Sequence, residues 1–345
     1  MRLLNTTTLQ LTDFVGKAPP YAILSHTWSE EEVLFADISN PAVPKAGWSK
    51  VRSSCDLARS LGHDWIWIDT CCIDKSSSAE LSEAINSMFR FYQNAVICIA
   101  YLSDVPYPSS EGEIPKVLAE TRWFTRGWTL QELLAPKHLD FYSSDWKLLG
   151  SRSGFSFLIA EVTGIRHAVI SGGSIKSNRL VDSSVAERMS WASRRRTTRL
   201  EDIAYCLLGI FGINMPLIYG EGERAFARLQ QAIIHEIDDQ SIFAWGYTQV
   251  GEPPKIPSHG WTSPLLAGNP SWFRNAGDIL PFKTMNIPGL LSSGGNGVTI
   301  PTPLLQQMLQ PGPTNRGMMY LLAPLRCRRL KILGGCRFHG IPNRR

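Results

Sequence analysis

YAILSHT, Tyr21 to Thr27, opens on a short apolar run entered through Pro19-Pro20 and closes on the polar pair His26-Thr27. That is the pattern of a buried strand opening into a loop. From Gly47 to Leu61, Trp48, Val51, Cys55, Ala58 and Leu61 recur at spacings of three and four, which predicts a helix with one buried face, stopped by Gly62. Trp65–Ile68 (WIWI) is a second strand, again running into polar residues, Asp69, Thr70 and Asp74. Ser78 is placed to cap a helix carrying Leu81, Ile85, Met88, Phe89 and Tyr92, after which Ala95 to Leu102 reads as a third strand. Strands alternating with helices predict an α/β fold, an open and mostly parallel sheet flanked by helices, with a flavodoxin-like core. In such sheets ligands bind beyond the carboxyl ends of the strands, where Ser25, His26, Asp69 and Asp74 fall.

Further along, the loop Pro106–Pro115 leads to a helix containing Trp128, Leu130, Glu132, Leu133 and Leu134. Ser171 to Asn178 reads as a polar loop, and Glu201–Phe211 and Gly222–Glu236 read as helices that complete a first domain over residues 1–247. Beyond it, residues 248–345 turn to proline, glycine and short apolar pieces, a small β-rich extension. Seven basic and no acidic residues follow Leu325, so the net charge of +5 belongs to this tail, read as solvated, and nucleic acid is not the expected partner.

With 43% hydrophobic and 19% charged residues, the 345-residue chain has enough apolar material for a packed core. Trp65 with Trp67 and Trp123 with Trp128 read mostly as core. Seven cysteines without a CxxC pair indicate neither a disulfide framework nor a zinc site, and no metal is expected. The amino terminus lacks the marks of a secretory signal, and no apolar stretch is long enough for membrane insertion.

Four blocks carry a family resemblance: YAILSHTW from Tyr21, WIWIDTCCIDK from Trp65, RGWTLQELLAP from Arg126, and the long run beginning SWASRRRTTRLEDIAYCLLGIFG at Ser190. In this order they resemble the heterokaryon incompatibility (HET) domain of filamentous fungi, and GWTSPLLAGNPSWFRNAGDI from Gly260 looks like a segment that often follows it. The resemblance implies a cytoplasmic fungal protein of self/non-self recognition, triggering growth arrest or programmed cell death with a protein partner or by self-association.

The HET domain is also similar, at a distance, to Toll/interleukin receptor (TIR) domains, whose enzymatic members cleave the nicotinamide bond of NAD. TIR enzymes carry a tryptophan four residues before a catalytic glutamate on the helix after the third strand, and Trp128 and Glu132 match that spacing. The resemblance thus implies an NAD glycohydrolase with Glu132 as catalytic carboxylate and NAD as substrate, no cofactor being called for. Nicotinamide leaves as a neutral molecule from a cationic ring, so one carboxylate facing the oxocarbenium-like ribose suffices. Trp28 or Trp128 is placed to stack a ring, Ser25 and His26 to bond ribose or phosphate, Asp69 to join them, and Arg122 or Arg126 to meet the pyrophosphate. No Gly-x-Gly-x-x-Gly follows the first strand, so a dehydrogenase-type NAD site is not expected.

Other readings stand beside these. Glu132 can instead pair with Arg126 or Lys137, Trp128 can be core, and Asp69 and Asp74 can cap the segment that follows. Cys71 or Cys72 with His26 and Asp69 suggests a hydrolase. Arg194, Arg195, Arg196 and Arg199 read as a solvated face paired with Glu201 and Asp202, and Tyr219–Arg224 as a turn. Non-enzymatic signalling and redeployment in metabolism remain the functional alternatives.

Overall fold

The computed structural model describes residues 1–40, 44–171, 180, 182–246 and 266–281, and three short strands at 292–294, 297–299 and 327–329. Most of the loop expected at Ser171–Asn178, and most of the 248–345 extension with its basic tail, lie outside the described residues.

The centre is a seven-stranded mixed sheet in the order β2-β1-β4-β3-β5-β6-β7. Its strands are β1 (Arg2–Asn5), β2 (Leu11–Asp13), β3 (Ala22–His26), β4 (Trp65–Trp67), β5 (Ile97–Tyr101), β6 (Leu139–Tyr142) and β7 (Leu148–Ser151). β4, β3, β5 and β6 run parallel, and β1, β2 and β7 add antiparallel edges. The parallel strands, numbered in chain order, lie 2-1-3-4, the flavodoxin-type order, with its topological switch point between β3 and β5. β3 is buried at every position, as a continuous apolar run in the middle of a parallel sheet must be.

Helix α1 (Gly47–Ser60) packs on β4, burying Trp48, Val51, Cys55 and Ala58 as their spacing predicts, and Gly62 follows in the left-handed region at φ +85°. Helix α2 (Ser78–Asn94) buries Ala84, Ile85, Met88 and Tyr92. Its cap is Ser77, one residue before the expected Ser78: Ser77 keeps extended backbone and accepts from the Glu80 amide, while Ser78 is already helical. The chain moves one way from β3 to β4 and back past β3 to β5. Right-handed crossovers therefore put α1 and α2 on opposite faces.

Helix α3 (Thr129–Leu134) is six residues long and packs against β3 and α2, with every residue from Thr129 to Leu133 buried. Arg152, just after β7, donates to the carbonyls of Leu133 at 2.6 Å and Lys137 at 3.1 Å, closing the helix's free carboxyl end with a cation. The expected helix at Glu201–Phe211 is two separate turns, Asp202–Tyr205 and Leu208–Phe211. The second turn sits so close on α2 that a Cβ at Gly209 would lie 2.1 Å from the Cβ of Phe89. Contact with α2 sets the path here, over the continuous period of the sequence.

Helix α4 (Val185–Ala192) and helix α5 (Arg224–Glu236) add a helical layer. The described segment 266–281 packs on them. Gln230 exchanges two hydrogen bonds with the Ala267 backbone at 2.8 and 2.9 Å, and the Trp272 carbonyl accepts from the Gly246 amide at 2.9 Å. Ile279–Pro281 pairs antiparallel with Cys327–Arg329, and 292–294 with 297–299. Among the described residues no helix is long and apolar enough to cross a membrane.

Candidate functional site

β3 ends on Ser25 and His26 at the switch point, and alternation along an extended strand sends their side chains to opposite faces of the sheet. The structure therefore builds two polar clusters back to back.

On the α2–α3 side, Ser25 Oγ donates a short hydrogen bond to Glu132 Oε2 and accepts one from Trp123 Nε1 at 2.8 Å. The Tyr92 hydroxyl also reaches Glu132 while donating to the Leu24 carbonyl at 3.1 Å. Glu132 is only 6% exposed. Burial pushes its pKa up to about 8; Asp69 adds to the rise, and the Ser25 and Tyr92 bonds and the Arg195 charge oppose it. Burial lowers Arg195 to about 10. Its Nη1 donates to the Arg126 carbonyl at 2.8 Å and to Thr129 Oγ1 at 2.9 Å, while Nη2 is buried without a partner among the described residues. Glu132 is thus buried where the carboxylic acid predominates at neutral pH and a nearby positive charge would ionise it.

On the α1 side, His26 Nε2 lies 3.0 Å from Asp69 Oδ1, and the Trp28 indole donates to Asp69 Oδ2 at 2.8 Å. Burial works against the Asp69 charge, yet His26, Lys75 and the Trp28 indole hold its pKa down to about 2. Glu32 lies 4.0 Å from His26 Nδ1; its Oε1 takes the Ser29 amide at 2.6 Å, the Ser29 hydroxyl, and Lys50 Nζ from α1. Trp28 is half exposed, with one ring face over Lys75 Nζ at 3.7 Å.

Of the residues singled out in the sequence, Ser25, His26, Trp28, Asp69 and Glu132 gather around the end of β3. Arg122 stands at the rim: its Nη2 donates to Ser103 Oγ at 3.1 Å, and Ser103 lies 3.5 Å from the Thr27 hydroxyl, so β3 and β5 present it jointly. Arg126 and Trp128 turn elsewhere. Arg126 Nη2 donates to Thr198 Oγ1 at 3.2 Å, and Trp128 packs half-buried with a hydrogen bond to Asp202. Glu132 pairs with neither Arg126 nor Lys137; its partners are Ser25 and Tyr92. The tryptophan that shares the Glu132 network is Trp123, which a sequence reads as core.

Cys71 is fully buried, and its bond to Cys72 together with burial raises its thiol pKa well above the usual value, the wrong direction for a nucleophile. Asp74 caps locally, accepting the Ser76 amide and hydroxyl at 3.0 and 2.6 Å. Arg195 is buried against α3 and is not part of a solvated face. The Tyr219–Arg224 turn offers its Gly220 and Gly222 amides to the protein's own Glu201, at 2.8 and 3.0 Å.

Residues 21–111 match the family model described as heterokaryon incompatibility protein (HET), and residues 224–280 match a domain of unknown function (DUF8212). Over 226 residues, 63% of the chain, the sequence is 47% identical to the vegetative incompatibility protein HET-E-1 of Podospora anserina, whose length it matches over only 16%. No solved structure matches the chain. The family match spans Ser25, His26, Trp28 and Asp69, and the longer alignment extends the kinship well past it: this chain is a HET-domain protein.

Proposed function

We propose that this HET domain hydrolyses NAD at the nicotinamide–ribose bond, and that it serves a fungal incompatibility response ending in cell death. The supporting observation is the Ser25–Glu132 hydrogen bond, which places a desolvated carboxyl group at the carboxyl end of the middle strand, the ligand position of this topology. The incompatibility role follows the name of the 47% identical relative, and the TIR-like reading follows the place of Glu132 on a helix between β5 and β6.

In this mechanism the cationic nicotinamide riboside draws Glu132 into its ionised form by lowering its pKa. Glu132 then faces the positive charge that grows on the ribose as the C–N bond breaks, and nicotinamide departs with the bonding electrons as a neutral molecule. Water adds to the ribosyl carbon and releases a proton. Ser25, fixed by Trp123, holds the Glu132 carboxyl in place, so little reorganisation is needed. Arg122 meets the pyrophosphate in this mechanism.

A second reading is favoured by the near-complete burial of Glu132: the Ser25–Glu132–Trp123 network as a structural core of a non-enzymatic signalling and self-association module. Incubating the purified chain with NAD and measuring released nicotinamide separates the two. Release that disappears in Glu132→Gln supports hydrolysis. Absence of release from the unsubstituted chain, or equal release from the variant, sinks it.

A further inference from the structure

Lys75 lies in the loop between β4 and α2, beneath the Trp28 ring. Its Nζ is out of reach of solvent and has no hydrogen-bond partner among the described residues. An ammonium in that condition is costly to bury. Burial lowers its pKa, against the charges of Asp69 and Glu32. Both Asp69 oxygens are committed, to His26 and to the Trp28 indole. What covers Lys75 is the Trp28 ring, half exposed and tied down by one hydrogen bond and this cation–π contact. Turning that ring outward would uncover the ammonium and free Asp69 Oδ2 together.

A ligand replacing the indole must supply acceptor oxygens for Lys75 and a donor for Asp69. We propose that Lys75, Asp69 and Trp28 form an anion-binding subsite for a phosphorylated ribose: phosphate oxygens on Lys75, a ribose hydroxyl donating to Asp69, and the displaced Trp28 ring against the base. The choice of a nucleotide rests on the NAD reading, whereas the vacant donors of Lys75 do not. The subsite lies on the α1 face of β3, across the strand from Glu132, so an extended dinucleotide would lie over the crest.

The test is isothermal titration of the full chain carrying Glu132→Gln with ADP-ribose, and with adenosine as the phosphate-free control. ADP-ribose should bind, and adding Lys75→Gln should weaken it by roughly 10-fold or more, as loss of a charge-assisted bond would. Adenosine binding should not respond to Lys75→Gln. Unchanged ADP-ribose affinity in a folded Lys75→Gln chain, or no ADP-ribose binding by the parent, overturns the subsite. Should Lys75→Gln not fold, Trp28→Phe decides, since it releases Asp69 while keeping a ring. Tighter ADP-ribose binding supports the subsite and weaker binding overturns it. Nicotinamide release by the unsubstituted chain judges the NAD reading separately. Hydrolysis with a KM indifferent to Lys75 leaves that reading and removes the subsite, and Lys75-dependent ADP-ribose binding without hydrolysis does the reverse.

Discussion

Ser25 and Glu132, separated by 107 residues in sequence, share a hydrogen bond in the interior of the protein. A carboxyl group held this way has a neutral form that suits the fold and an ionised form that suits the proposed reaction. The two demands can be separated experimentally.

Glu132→Gln imitates the neutral acid. It is expected to keep the fold, with thermal stability near that of the parent at pH 7, and to lose nicotinamide release entirely. Glu132→Ala leaves a cavity and strips Ser25 and Tyr92 of a partner, so it should cost about 2–4 kcal/mol in denaturant unfolding.

The pH dependences of activity and stability should run in opposite directions. With a free-protein pKa of about 8, kcat/KM should rise as pH rises through 8, because the reactive form is the carboxylate. For stability, the folded pKa lies above the ordinary carboxylate value, so the folded state holds the proton more tightly. That contribution is complete below the ordinary value and fades as pH climbs through about 8. Glu132→Gln should remove this alkaline loss, which thermal unfolding at pH 6 and pH 9 would read. Asp69 works at the other end: its pKa of about 2 gives a contribution present above the ordinary aspartate value and lost as pH falls toward 2.

Two neighbouring charges should tune Glu132 in opposite senses. Arg195→Gln removes a positive neighbour and should move the rise in kcat/KM to higher pH, and Asp69→Asn removes a negative one and should move it lower. Shifts of the same sign in the two variants would contradict this electrostatic picture.

Trp123→Phe deletes the donor to Ser25 while keeping a ring against Phe141. The orphaned hydroxyl oxygen should cost about 1–3 kcal/mol in unfolding. Activity should drop mainly in kcat, because the loosened partner is Glu132 itself.

The central fold is legible in the sequence because buried parallel strands are written as uninterrupted apolar runs, and YAIL, WIWI and the stretch around Ile97–Tyr101 have little else to be. The edges are not. β1, β2, β6 and β7 are three or four residues each, too short for any period to emerge, and pairing with neighbours defines them. Glu132 stands out for a similar reason to the strands: it is a charge amid apolar residues. Its partners do not. Trp123 looks like any core tryptophan, and Arg195 sits in an arginine-rich stretch that reads as surface until Thr129 and the Arg126 carbonyl are brought beside it. Trp128 keeps the expected spacing, but a six-residue helix turns it toward Asp202.

The alternation at the end of β3 makes the strand a partition between two rooms, with Ser25 opening into one and His26 into the other. A slip of one residue against β4 and β5 would exchange their occupants, leaving an imidazole facing Glu132 and a hydroxyl facing Asp69. No half-correct version exists, since both rooms would be misfurnished at once. The hydrogen-bond ladders on either side of β3 are therefore proofreaders as well as glue: they fix which chemistry stands on which side of the wall.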